Sequence, residues 1–370
     1  MKKILSMILS LVMLLSLSTA AFATDNDRGF SAESDSTRVY ISSYDCPTQY
    51  VAFANEKIGA FLEASEFSDF SPCYLGNPFT FANADSSVYY FPVFYSGKII
   101  CILRVYSNEQ GDIAGVLSKG FADELNTTAK RTSASAPLHI YLNGSDIVFK
   151  TANTEKTVLT YPDSQWSTAR MNLAESASIT TVECSSENST QISRPSDAQR
   201  SLTASRYLDI FEANGRPAET QGDNNWCAAY ASAAIMRYKG MNGLYAVDLM
   251  EYFYGNNPST EETLSDDQVY TYATVQGFYT SKTNSTLSFV QLCNEINYDR
   301  PVYLVVRRPV GNEHKYHAIV LCGYNDTSAM MRIWNPWYEC YETIYSLYNY
   351  VPYDHQNRTY EYVRTIYNWS

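Results

Sequence analysis

The chain has 370 residues and a formal net charge of −12, with 27 Lys and Arg against 39 Asp and Glu. An acidic chain of this kind repels phosphate backbones, which argues against nucleic acid as a partner. Its 32 tyrosines suit a strand-rich architecture, and its length allows two domains.

Met1-Lys2-Lys3, the apolar run Ile4–Leu17 and Ala21-Phe22-Ala23 read as a secretory signal over residues 1–23, cut after Ala23. No later apolar run approaches the ~18 residues a helix needs to cross a bilayer. The mature product is therefore expected outside the cell, with no membrane contact once the signal is removed. Residues 24–184 read as a β-rich domain with one or two helices. Val39–Ser43 predicts a strand and Tyr50–Glu66 a helix. Val88–Tyr95 and Ile99–Tyr106 predict one hairpin, Leu138–Leu142 and Asp146–Lys150 another. No catalytic set stands in this part.

Between Ser185 and Arg206 the composition turns to Ser, Thr, Asn and Gln, with Arg194-Pro195 and Arg200. Residues 185–206 therefore read as an exposed linker open to proteolysis. Residues 207–370 read as a second domain, α+β in class. Helices are expected from Cys227, at Val247–Tyr254, at Ser265–Gln276 and at Thr286–Asn297. Strands follow from Val302, with a final one over Tyr360–Trp369.

The chemistry concentrates in three blocks: Gln221-Gly-Asp-Asn-Asn-Trp226-Cys227-Ala-Ala-Tyr, Tyr316-His317-Ala-Ile-Val-Leu-Cys322-Gly323, and Ile333-Trp334-Asn335-Pro336-Trp337. In this order they supply an oxyanion donor, a nucleophile, a base and a residue that orients the base. A thiol attacks as thiolate, and a helix N-terminus or an adjacent imidazolium lowers its pKa. The Ala-rich run after Cys227 predicts a buried helix with the thiol in its first turn. Asp223, Asn224 and Asn225 are capping types before it, and Gly240 is a stop after it. His317 opens an apolar strand, and Met330–Trp334 forms the return strand of a hairpin. That hairpin would set the Asn335 carbonyl beside one imidazole nitrogen and turn the other towards Cys227.

Other candidates have plainer readings. Cys46, Cys73, Cys101, Cys184, Cys293, Cys322 and Cys340 read as structural; seven is an odd number, so at least one is free and no pairing is assigned. His314, in Gly-Asn-Glu-His-Lys-Tyr, is the rival base but reads as loop. Glu313, His314 and His317 lack zinc spacing, and neither a metal nor an organic cofactor is implied. Glu261, Glu262, Asp266 and Asp267 read as the solvated start of a helix capped near Ser265, without a calcium-loop pattern.

Six residues from Gln221 to Cys227, the His317-Ala strand with Gly323-Tyr324, and Asn335-x-Trp337 resemble the papain superfamily. Within it the blocks Glu219–Tyr230 and Ile333–Trp337 are most similar to the staphopains, secreted bacterial cysteine proteases. The resemblance covers roughly Tyr207 to the C-terminus. It implies a two-lobed papain-like catalytic domain, helical half plus antiparallel β half, with the cleft between them. Cys227 would be the nucleophile, His317 the base and acid, and Asn335 the orienting residue. Gln221 with the backbone N–H of Cys227 would bind the oxyanion, and Trp337 would shield the His–Asn bond. Asn224 stands where larger papain-type enzymes carry a cysteine, so that disulfide is absent. The 90 residues from Cys227 to His317 imply trimmed loops.

The function expected is a secreted cysteine endopeptidase made as a zymogen, with residues 24–184 as the propeptide blocking or misaligning the cleft. Its partners would be polypeptide substrates and that propeptide, with a dedicated protein inhibitor as a further candidate. The rivals are a bacteriocin-leader-type peptidase, an amidase or transglutaminase of related fold, and a secreted binding or adhesion protein with a vestigial peptidase half.

Overall fold

The N-terminal strands form where the sequence is almost wholly apolar. The computed structural model describes residues 36–370 apart from 83–87, 108–110, 144–145, 161–178, 195–204, 211–218, 346, 348–349 and 351–358. The proposed signal, Arg200 and His355 lie outside the described residues. β3 (Val88–Tyr95) and β4 (Lys98–Ser107) pair about Ser96-Gly97, whose φ values of 47° and 76° give the left-handed turn that a tight hairpin needs. β2 (Cys73–Leu75) joins β3 on one side, and β5 (Ile113–Ser118) joins β4 on the other.

Two helices cover this sheet. α1 (Thr48–Glu63) buries Tyr50, Ala54, Ile58, Phe61 and Leu62, the spacing of one helical face. Each large side chain so buried contributes roughly 1.5–3 kcal/mol before entropy is charged against it. α2 (Ala122–Ala129) is shorter and packs beside β4. β1 (Arg38–Ser43) pairs with β9 (Thr180–Ser185), and β6 (His139–Asn143), β7 (Asp146–Lys150) and β8 (Glu155–Thr160) make a separate sheet.

The stretch read as an exposed linker is structured in its first half. β10 (Thr190–Gln191) pairs with β2, and the Ile192 N–H donates to Cys73 O at 2.9 Å. The buried Arg194 guanidinium donates to the carbonyls of Ser68 and Phe67, at 2.5 and 3.3 Å. Low mean hydropathy misled here because one isoleucine and one carbonyl-capping arginine suffice to anchor the strand. At its other end β11 (Ser205–Tyr207) pairs with β14.

Beyond it come α3 (Cys227–Tyr238), α4 (Ala246–Tyr254), α5 (Asp266–Val275), β12 (Ser281–Thr283) and α6 (Phe289–Asn297). α3 is buried from Ala228 to Arg237 and ends in a paired motif: Gly240 at φ 109° donates to Arg237 O, and Met241 donates to Met236 O. α5 and α6 open with reciprocal caps, Ser265 with Gln268 and Ser288 with Gln291; the second cap starts α6 three residues later than periodicity predicts.

β13 (Val302–Val310), β14 (Glu313–Asn325), β15 (Met330–Trp334), β16 (Tyr341–Ile344) and β17 (Glu361–Tyr367) complete the order. β14 starts at Glu313 rather than His317, because pairs such as Pro309↔His314 extend the hairpin through polar, exposed positions. Gly323 is required where β11 crosses β14: a Cβ there would collide with the Tyr207 ring.

Among the described residues one sheet of twelve strands runs β10-β2-β3-β4-β5-β16-β15-β14-β13-β17-β12, with β11 attached to β14. Its two parts meet where β5 pairs with β16, at Val116↔Ile344, Leu117↔Thr343 and Ser118↔Glu342. Met330 packs into the cluster of α1 and β2–β4, and Tyr207 Oη donates to Glu63 O at 3.3 Å. Residues 36–370 accordingly form one compact unit, α+β in class with mostly antiparallel pairing.

Candidate active site

Cys227 heads α3 and is half-buried. It shares a cleft of about 560 Å³ with His317, Ala318, Tyr316, Asp266, Tyr303 and Arg364 among others. The helix N-cap is Trp226, with no side-chain cap. The capping role expected of Asp223, Asn224 or Asn225 is not seen; Asn224 Oδ1 instead accepts from Trp226 N at 3.0 Å, one residue short of the helix. The first-turn N–H groups of α3 lack intrahelical acceptors. Burial pushes the Cys227 thiol up from its ordinary value, and Asp266 adds to that. The backbone N–H groups of Ala318, Ala228 and Cys227 act the other way by favouring the thiolate. Fully buried Cys322, by contrast, is pushed up to about 12 by desolvation.

His317 is buried on β14, and its Nε2 lies 2.8 Å from Asn335 Oδ1. Asn335, fully buried, follows the last residue of β15. Trp337 stacks on the imidazole at 3.8 Å between centroids and 18° between planes, and its backbone N–H donates to Asn335 Oδ1 at 3.1 Å. An apolar ring laid over a hydrogen bond keeps water from competing for it. Nε2 is thus the imidazole nitrogen that faces Asn335, with Nδ1 on the other side of the ring. His314, three residues away, lies on the opposite face of the strand and is exposed. That alternation turns His314 away from the face shared by Glu313 and His317, so the three do not converge as metal ligands.

Gln221 is buried beside these groups. Its N–H donates to Pro336 O at 2.8 Å, which ties the segment before α3 to the loop carrying Asn335 and Trp337. The side-chain amide donates to Asn224 O, which uses one of its two N–H bonds. Glu219 fixes the same segment from below, accepting from Arg237 Nη1 at 3.0 Å and from Ala246 N at 2.9 Å.

Most of the acidic cluster is solvated at the start of a helix capped by Ser265, as the sequence suggests, and Asp266 alone turns inward. Glu261 accepts from Asn225 Nδ2 at 3.1 Å and Glu262 from Ser259 N at 2.8 Å. Asp267 pairs with Lys282. Asp266 lines the cleft and pairs with Arg364 Nε at 2.8 Å. Burial raises the Asp266 carboxyl, while Arg364 and Lys282 pull it down. All eight cysteines are free, and Cys322 is core, its Sγ 3.4 Å from Arg332 O.

Two residues near His317 escaped sequence reasoning. Asn335 Nδ2 donates to Tyr350 Oη at 2.9 Å, and Tyr350 Oη donates to Glu342 Oε2 at 2.5 Å. Tyr350 is one tyrosine in 32 and had no signal. Glu342 had a faint one, a lone acid in the strand-like run Tyr341–Ile344.

Residues 214–365 match the model of the Peptidase_C39 like family. Extracellular cysteine proteases from two strains of Staphylococcus epidermidis are each 23% identical to this chain over 384 residues, spanning 91% of it and 92% of their own length. A third extracellular cysteine protease from that species is 26% identical over 133 residues, 34% of this chain and 76% of its own. The similarity supports a cysteine peptidase. The two longer matches extend through the N-terminal strands as well as the residues around Cys227. Among the described residues no helix is long and apolar enough to cross a membrane.

Proposed function

We propose that the protein is a secreted endopeptidase in which Cys227 attacks the peptide carbonyl and His317 serves as base and acid. The observation that carries this reading is the 2.8 Å His317–Asn335 contact under Trp337, with His317 and Cys227 lining one cleft. Proton transfer from Cys227 to Nδ1 creates an ion pair. Its cost is met by the Asn335 carbonyl behind the imidazolium and the N–H groups at the head of α3 beside the thiolate. The tetrahedral oxyanion would take the N–H of Cys227 and the second N–H of Gln221. His317 then protonates the leaving amine, and the acyl-enzyme is hydrolysed by water that His317 activates. The arrangement corresponds to a papain-like catalytic half. Secretion is proposed on the reading of residues 1–23 as a signal and agrees with the extracellular naming of the relatives.

The N-terminal part is read as a propeptide. It would block or misalign the cleft, and the β5–β16 ladder that joins it to the catalytic half is a route for misalignment. Arg194 is buried and Arg206 lies in a paired strand bound to Asp299. Neither suits a protease, which needs extended accessible chain. The cut is proposed between them, near Arg200, and would leave β11 with the catalytic half.

The test is to purify the precursor and follow its N-terminal sequence and its hydrolysis of casein over time, beside Cys227→Ala. The wild type should be cut within 195–204 as activity rises. The variant should stay folded and inactive, since Ala is a good helix former. Residual hydrolysis by pure Cys227→Ala would remove the peptidase reading. Full activity without a cut in that segment would remove the zymogen alone.

A further inference from the structure

The hydrogen bonds behind His317 run in one direction only, and their source is Glu342. This carboxylate is fully buried on β16 and, when ionised, accepts hydrogen bonds without donating any. Tyr350 is held beside it by a pair of backbone bonds with Tyr360, at 3.1 and 2.7 Å, so its hydroxyl is placed rather than free to wander. Facing a carboxylate at 2.5 Å, Tyr350 spends its one proton there. Only lone pairs remain for Asn335, 2.9 Å away, so the Nδ2 side of that amide must turn towards Tyr350. The Oδ1 side is then turned towards His317, which must answer with an N–H on Nε2. The Trp337 backbone N–H, 3.1 Å from Oδ1, agrees with the same orientation.

We propose that Glu342 and Tyr350 are positioning residues that set the His317 tautomer through Asn335, fixing Nε2–H and leaving Nδ1 as the basic nitrogen. This rests on the reading of Cys227 and His317 as the reacting pair. An amide has two nearly isosteric ends, so Asn335 alone does not say which way it points. A tyrosine hydroxyl alone does not say so either, because it donates or accepts. A buried carboxylate does. Remove its one-way demand and the Tyr350 proton can turn to Asn335, the amide can flip, and His317 can carry its proton on Nδ1. That tautomer cannot take a proton from Cys227. Asp and Asn share one task in different enzymes here: the carboxylate that fixes a serine-type triad directly acts in this chain at two removes.

The experiment uses the full chain with ¹⁵N-labelled histidine, of which there are four. In a Cys227→Ala background the chain should stay intact, and ¹⁵N shifts distinguish the Nε2–H from the Nδ1–H tautomer of neutral His317. Nε2–H should dominate, and both Tyr350→Phe and Glu342→Gln should give a mixture. With Cys227 present, both variants should lose kcat about tenfold at near-constant KM, well short of the ~10⁴ that a wholly wrong tautomer costs a serine triad. In an Asn335→Ala background the same two changes should cost nothing further, since they act through that amide. If the tautomer and kcat are untouched in folded Tyr350→Phe, the proposal is overturned even where Glu342→Gln fails to fold. Should the wild type prove unable to cut any peptide, the peptidase reading falls while the tautomer shift still decides whether the directional chain exists.

Discussion

The two parts of the twelve-stranded sheet share a ladder and differ in what they bury. From β2 to β5 the covered faces are largely apolar and aromatic: Phe81 stacks on Tyr90 at 4.4 Å and 7°, with Phe79 and Phe121 closing on the same ring, and the buried Arg104 lies over Tyr106. From β13 to β16 the buried set includes His317, Asn335, Glu342, Arg308 and Arg332 among apolar neighbours. Burying a polar group costs several kcal/mol unless it is bonded, and here bonded partners recur. The first part is built for cohesion. The second spends cohesion on orienting an imidazole and a thiol. Glu342 lies where they meet, opposite Ser118 on one side and Ile333 on the other.

The largest expected effect is on the polar side. His317→Ala should lower kcat/KM on the order of 10⁴ or more, because ion-pair formation and leaving-group protonation fail together. It should also lose stability, roughly 1–3 kcal/mol, since a buried ring bonded to Asn335 and stacked on Trp337 is removed. His314→Ala, on the exposed face, should stay within about twofold. Peptide hydrolysis and urea midpoints measured on both variants decide it; the reverse pattern would mean the base is misassigned.

The aromatic side should answer in the opposite currency. Phe81 is fully buried, and Phe81→Ala should destabilise the precursor by about 3–5 kcal/mol through lost transfer energy and a cavity. The Cys227 chemistry per folded molecule should be unchanged. A fall in kcat for activated, folded enzyme carrying this change would show that the two parts are coupled more tightly than the ladder implies.

The smallest effect concerns the charge beneath the cleft. Asp266 opposes ionisation of Cys227 and is itself faced by Arg364, Lys282, Asp267 and the Tyr303 hydroxyl. Asp266→Asn removes the opposing charge and leaves the two cations. The raised thiol pKa should therefore fall, since burial remains and only the lesser cause is removed. Below that pKa more thiolate is present, so the iodoacetamide rate profile should move to lower pH. A profile moving to higher pH would show that Asp266 supports the thiolate through another group.

Much of the site was legible because short blocks carry it. The Ala-rich run after Cys227 leaves little choice but a buried helix headed by the thiol. A hairpin closing between His317 and Asn335 brings its two ends together whatever surrounds it. Local composition served less well over 185–194, where Ile192 and Arg194 tie down a segment that looks like linker. It failed at Asp266, which a helix-start pattern places in solvent and the fold places against Arg364. Tyr350 and Glu342 carried almost no signal, since a side chain's partners 15 and 8 residues away along the sequence depend on how strands and loops fold back.

What the sequence determined by itself is therefore the chemistry that depends on neighbours along the chain: the helix under Cys227, the hairpin joining His317 to Asn335, and the caps at Ser265 and Ser288. Period, capping and turn preference act over a few residues and can be read there. The tertiary structure alone decided that β5 pairs with β16 to make one sheet, that Asp266 turns inward to Arg364, and that a carboxylate stands behind Asn335. These depend on which distant surfaces exclude water together, and an open strand edge does not specify in its own residues which partner will cover it.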